Sequence, residues 1–155
     1  MPRDRDDAGR PRNARPRDAT GRPLPRDAEG APSVDAESLT TAAGVLAAAQ
    51  RAIDEGRPFS AHEYLESAWH RADAAERDLW QGLAQVAVGL THVQRGNQSG
   101  ALALLERSRE RLSAYAGTMP YGIDVDGVRA AVEELAQALR TDAPITGSVR
   151  LLVAQ

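Results

Sequence analysis

The amino-acid sequence predicts an all-α fold: a compact bundle of about five helices behind a disordered, Arg/Pro-rich N-terminal tail. Three observations carry that expectation. Apolar residues recur at helical spacing from about residue 35 onward. Alanine and leucine are common while aromatics make up only 4% of the chain, and strands favour β-branched and aromatic side chains. Glycines follow the ends of apolar stripes, at Gly56 and Gly96, where a left-handed residue stops a helix. At 155 residues this is one domain with a tail to subtract. The expected division is a disordered or extended tail over 1–34, a helical bundle over 35–143 and a C-terminal tail over 144–155.

Between Met1 and Ser33 stand eight arginines, six acids and six prolines, with no aromatic residue and no isoleucine. Such a stretch cannot bury enough apolar surface to offset the entropy of ordering it. It carries about +2, while the remainder, with eleven arginines and sixteen acids, carries about −5. The tail is therefore read as disordered. A sharper reading is an extended segment lying along the domain or on a partner, its arginine forks paired with surface carboxylates.

The first helix is expected from Asp35 or Ser38 to Glu55, with Leu39, Ala42, Leu46, Ala49 and Ile53 on one face. Gly56 ends it and Pro58 prevents continuation. The second opens at Phe59-Ser60-Ala61-His62-Glu63-Tyr64. Ser60 and Glu63 have the S-x-x-E spacing of a capping box, and Phe59 with Tyr64 that of a hydrophobic staple, which starts the helix near Ala61. Asp73-Ala74-Ala75-Glu76 repeats the capping logic before a third helix that runs to about Arg95. That helix is apolar nearly all round, interrupted by Gln81, Gln85 and His92, so it belongs in the middle of the bundle. Its small residues Gly82, Ala84, Ala87 and Gly89 allow neighbouring backbones close. Asn97 caps a fourth helix reaching about Ala116, whose Glu106/Arg107/Glu110/Arg111 face reads as solvated. Asp124 or Asp126 caps a fifth, with Val128, Val132, Leu135 and Leu139 inward. The short apolar run Val149–Val153 either docks or stays loose. Gly56, Ala61, Leu65 and Glu66 recur forty residues later as Gly96, Ala101, Leu105 and Glu106, as two helical hairpins of similar build would give, and as shared helix grammar alone, a glycine stop followed by an i, i+4 stripe, would give equally.

The run Ala61-His62-Glu63-Tyr64-Leu65-Glu66, then Trp69, Gln81-Gly82-Leu83-Ala84-Gln85, His92, Gly96-Asn97 and Gly100-Ala101, resembles domain-of-unknown-function family 309. The resemblance covers roughly residues 40–140, and the Arg/Pro-rich leader looks like that of actinobacterial members. It implies a small bacterial all-helical bundle with its polar landmarks drawn together, and it supplies no reaction. One departure is Ala84, where members more often carry a larger aliphatic residue.

Chemistry, if present, is expected at a polar cluster of His62, Glu66, Trp69, Gln85 and His92. His62 and Glu66 are four apart on a helix, so their side chains can meet; His70 falls toward solvent. The leading expectation is a non-enzymatic binding or protein-interaction module in which this cluster is mainly structural. The rival is a small-ligand or metal-binding, hydrolase-like site. The helix reads H-E-x-x-E, so the zinc-protease pattern H-E-x-x-H is absent, and a metal would need His62, Glu66 and His92 together. No metal and no cofactor are expected. Glu63 has a sufficient explanation as a cap. Gly96–Gly100 is a weak candidate anion cradle. Cysteine is absent, which excludes disulfides and thiolate metal sites, and lysine is absent, which excludes Schiff-base lysine chemistry. The net charge of −3 argues against a nucleic-acid partner. No signal peptide or membrane-length apolar run is seen, so a cytoplasmic location with an unidentified protein partner is the expectation.

Overall fold

The computed structural model describes residues 39–152. Within them five helices follow one another: α1 Ala42–Asp54, α2 Pro58–Arg71, α3 Arg77–Gln94, α4 Gln98–Leu112 and α5 Val125–Arg140. Two 3₁₀ turns, Ser113–Tyr115 and Pro120–Gly122, separate the last two helices. Each helix packs on the next in sequence, so α3 lies between α2 and α4. The all-α bundle expected from periodicity is the fold found. The leader lies outside the described residues, as do Asp35 and Ser38; the first helix starts later than expected from them, at Ala42, because Thr41 caps it and residues 39–41 are not helical.

The two helical hairpins are built alike at their junctions. At the end of α1, Arg57 N–H donates to Ala52 O (2.8 Å) and Gly56 N–H to Ile53 O (3.0 Å). These are the two bonds of a Schellman stop, and they require the left-handed φ of +73° that Gly56 adopts. At the end of α3 the same pair recurs: Asn97 N–H to His92 O (2.9 Å) and Gly96 N–H to Val93 O (3.0 Å), with Gly96 at φ +75°. The helices after the two stops bury matching positions, Ala61/Leu65/Ala68 and Ala101/Leu105/Ser108.

Helix starts divide into those with a side-chain cap and those without. Thr41, Asn97 and Asp124 accept from the N–H of Gly44, Gly100 and Gly127 at the heads of α1, α4 and α5. The capping box expected at Ser60 and Glu63 does not start α2. The helix begins at Pro58 with Arg57 in the cap position and no side-chain cap, so Ser60 already lies inside the first turn. Proline accounts for the difference: its fixed φ is already helical, and at the first position its missing N–H leaves nothing unsatisfied. Ser60 Oγ instead accepts from Arg57 Nη2 at 3.4 Å. Asp73 Oδ1 accepts from the N–H groups of Ala75 and Glu76, making a turn, and α3 proper begins at Arg77.

The central helix buries Leu79, Trp80, Leu83, Val86 and Ala87. Its glycines let α4 approach closely: a Cβ on Gly89 would stand 2.8 Å from Leu105 Cδ2, and one on Gly82 2.8 Å from Leu112 Cδ2. The outer face of α4 is paired as well as solvated. Glu106 meets Arg140 at 2.6 Å, Arg109 meets Glu133 at 2.6 Å, and Arg111 meets Asp78 at 2.7 Å. Asp126 does not cap α5; it accepts from the N–H of Gly117.

After α5 the chain turns back as an extended strap. Of the two outcomes open for the C-terminal run, docking is the one found: Val149 and Leu151 are buried. Gln50 of α1 holds them, donating to Val149 O (3.1 Å) and accepting from Leu151 N–H (2.7 Å). Asp124 N–H donates to Leu151 O (2.9 Å), and Ile123 and Leu152 form an antiparallel bridge. The strap thus ties α1 to the start of α5. Complete burial of Leu151 contributes about 1.5–3 kcal/mol.

Candidate functional site

Two places in the bundle combine polar groups with unusual surroundings. The first is the outer ridge of α2. Its i, i+4 spacing puts His62, Glu66 and His70 in one row. Glu66 divides its carboxylate between two imidazoles: Oε2 lies 3.1 Å from His62 Nε2 and Oε1 lies 3.2 Å from His70 Nε2. Aromatic rings flank the row, with Phe59 against His62 (centroids 5.6 Å apart) and Trp69 stacked on His70 (4.8 Å). His62 is largely covered at 22% side-chain exposure, whereas His70 is 63% exposed. His70, set aside on sequence grounds, is therefore a member of the row; its position four residues after Glu66 was the available signal.

Burial lowers the His62 pKa below the usual imidazole value, and the neighbouring Glu66 charge opposes that only in part. The geometry agrees with a neutral ring. His62 Nδ1 is buried, with no hydrogen-bond partner among the described residues. With Nε2 donating to Glu66, an unprotonated Nδ1 leaves only a lone pair unsatisfied. A charged ring would instead bury an unpaired N–H donor there, together with the charge.

The rest of the expected cluster is not joined to this pair. His92 Nδ1 lies 3.1 Å from Asn97 Nδ2, at the head of α4. Gln85 Oε1 is buried without a partner among the described residues. No hydrogen bond of His62 or Glu66 reaches either residue. The Schellman stop at Gly96 explains the diversion of His92, because it folds Asn97 back beside the last turn of α3. Among the described residues no group of three His, Cys, Asp or Glu side chains could hold a metal ion, so the ligand set His62/Glu66/His92 is not assembled. The Gly96–Gly100 turn is occupied by its own chain, since Asn97 Oδ1 accepts the Gly100 N–H.

The second place is a cavity of about 290 Å³ that no local motif signals. It lies where the ends of α1 and α3 and the start of α2 meet α5, and the strap residues Ile145–Val149 form one wall. Ile53, Leu90, Val93, Ala131, Leu135 and Ile145 give it an aliphatic lining. Gln94, one of its polar residues, is fastened to Gly56 O at 2.7 Å. Glu134 is the single charged residue on the wall, and among the described residues it has no ion-pair partner. Its neighbour Glu133, by contrast, is taken by Arg109 and Arg140. None of His62, Glu66, Gln85 and His92 lines this space.

A smaller hollow of about 160 Å³ lies beside Trp80 and Tyr121. Tyr121 is held at φ +55° and donates its hydroxyl to Glu76. That bond raises the Tyr121 pKa.

Comparison with known proteins yields one family. The model described as a domain of unknown function (DUF309) matches residues 46–104, which span most of α1, all of α2 and α3, and the first half of α4. No curated protein and no solved structure matches the chain. Among the described residues no helix is long and apolar enough to cross a membrane.

Proposed function

We propose that this chain, whose residues 46–104 match a domain of unknown function (DUF309), is by its geometry a binding module. Its recognition site is the aliphatic cavity under the C-terminal strap. The observation that carries this reading is the composition of that wall, which is mainly aliphatic with one carboxylate that no described residue pairs. Ligand sites are concave and mostly apolar, with a few convergent polar groups that set orientation, and 290 Å³ is near the lower end of their range. The matching ligand is a small aliphatic group that carries a positive charge at one end.

On this reading the His62–Glu66–His70 row is structural. His62 has no basic nitrogen to offer a substrate, because Nε2 faces Glu66 and Nδ1 is buried. The row ties two turns of α2 together and carries the rings of Phe59 and Trp69.

Alkyl probes test the proposal. Hexylamine, hexanol and hexanoate are titrated against the full chain while the isoleucine methyl resonances are followed. Ile53 and Ile145 stand on the cavity wall and Ile123, the third isoleucine, does not. The amine is expected to shift Ile53 and Ile145 at the lowest concentration and hexanoate at the highest. Glu134→Gln should remove the order, and Ala131→Phe should block all three probes. Binding that is indifferent to Ala131→Phe would overturn the proposal.

A further inference from the structure

We infer that the chain carries its own occupant for this cavity: Arg22-Pro23-Leu24-Pro25-Arg26 of the leader docks there, with Leu24 in the aliphatic interior and a flanking arginine on Glu134. The inference rests on the reading of the cavity just given and names what fills it. From residue 2 to residue 33, Leu24 is the single Leu, Ile, Val, Phe, Tyr or Trp. It is bracketed on both sides by proline and then by arginine. The cavity has the complementary pattern, an apolar interior with one carboxylate that no described residue pairs. Proline fixes its own φ and biases the residue before it toward extended backbone, so a proline-flanked leucine has less freedom to lose on docking. The arginine fork suits a carboxylate partner, and the charge balance of about +2 against −5 draws the leader to the domain.

The tether is long enough. The described chain enters at Leu39, whose carbonyl accepts from Arg71 Nη2 at 2.5 Å. The cavity opens at the far end of α1, beside Ile53 and Gly56. A helix of 13 residues is about 20 Å long. The fifteen steps from Leu39 back to Leu24 reach up to about 50 Å. A tethered segment acts at an effective concentration that can reach the millimolar range, so a weak contact suffices. An external ligand must then displace the leader. If the leader holds the cavity nine-tenths of the time, apparent affinity falls about tenfold.

The experiment uses the full chain with isoleucine methyl labels and compares wild type with Leu24→Asp, a change in the leader that leaves the bundle's own residues untouched. Leu24→Asp is expected to move the Ile53 and Ile145 methyl resonances and to leave Ile123 in place. It should also strengthen hexylamine binding by about tenfold. If both proteins have identical spectra and bind hexylamine equally, the docked leader is refuted while the cavity reading survives. If hexylamine binds neither protein and the spectra are identical, both readings fail. In a third arm, labelled Leu24→Asp is mixed with unlabelled wild type. Return of the wild-type resonances there would mean that the leader of a second copy fills the cavity, which overturns docking within one chain.

Discussion

The side-chain amide of Gln50 holds the backbone on either side of Arg150 as a neighbouring strand would, accepting from Leu151 N–H at 2.7 Å and donating to Val149 O at 3.1 Å. One helical residue thereby satisfies two backbone groups of an extended segment about a hundred positions away. Among the described residues the strap has no sheet to join, only the isolated bridge to Ile123, so this amide supplies the partner that a strand would have supplied.

Replacement of Gln50 by leucine should release the strap. The two lost bonds contribute roughly 1 kcal/mol each, and the Leu151 N–H is left unpaired in a buried setting. A stability loss of about 2–3 kcal/mol is expected by denaturant titration. Amide exchange at Leu151 should accelerate while exchange in the middle of α3 follows only the global change. Unchanged protection at Leu151 would show that burial alone holds the strap.

The lowered pKa of His62 makes stability depend on pH in a stated direction. The unfolded chain titrates this imidazole near 6.5, while the folded chain resists protonation because the ring is buried. Below about pH 6.5 the unfolded state therefore binds more protons, and stability falls as pH drops toward the folded-state value. Above about pH 7 the contribution is complete. Melting temperature measured from pH 7.5 to 5 should decline in wild type and decline less in His62→Gln. Parallel curves for the two proteins would remove His62 as the cause.

The caps separate by their effect on stability. Thr41→Ala, Asn97→Ala and Asp124→Ala each delete a side-chain acceptor from a helix head and should cost about 1 kcal/mol. Ser60→Ala should cost clearly less, because Ser60 lies within the first turn of α2 rather than before it. Equal losses from Ser60→Ala and Asn97→Ala in chemical denaturation would restore the capping-box reading.

Gly56 and Gly96 offer a test of equivalence. A Cβ at either position meets nothing within 4 Å, so substitution acts on the backbone alone. Gly56→Ala and Gly96→Ala should each cost about 1–2 kcal/mol, and the asparagine variants less, since asparagine tolerates the left-handed region. Unequal alanine costs, measured side by side, would show that the two stops are not interchangeable.

These cases also mark what could be read from the residues. The glycine stops, the Asn97 cap and the apolar stripes were legible because their causes lie within one or two helical turns. The start of α2 was misread because two local signals competed, and Pro58 at the first helical position outweighed the S-x-x-E spacing. The partnership of His62 with Glu66 followed from helical geometry, and His70 was available by the same rule. The pairing of His92 with Asn97 was hidden, since it crosses a helix end that the four-residue rule does not describe. The strap and the cavity were illegible for a different reason: Gln50 and Leu151 meet only after every helix is in place, and the wall around Glu134 draws on four helices and the strap.

The matched hairpin junctions have an outcome of their own. Each stop sets its hairpin's register through main-chain bonds and one glycine, so the register does not depend on the outward side chains of either unit. The two units differ at matching positions. Where the first carries His62, Trp69 and His70, the second carries Leu102, Arg109 and Glu110. A swap of these three between the ridges would show whether an imidazole-rich exterior is portable along the backbone or belongs to one address only.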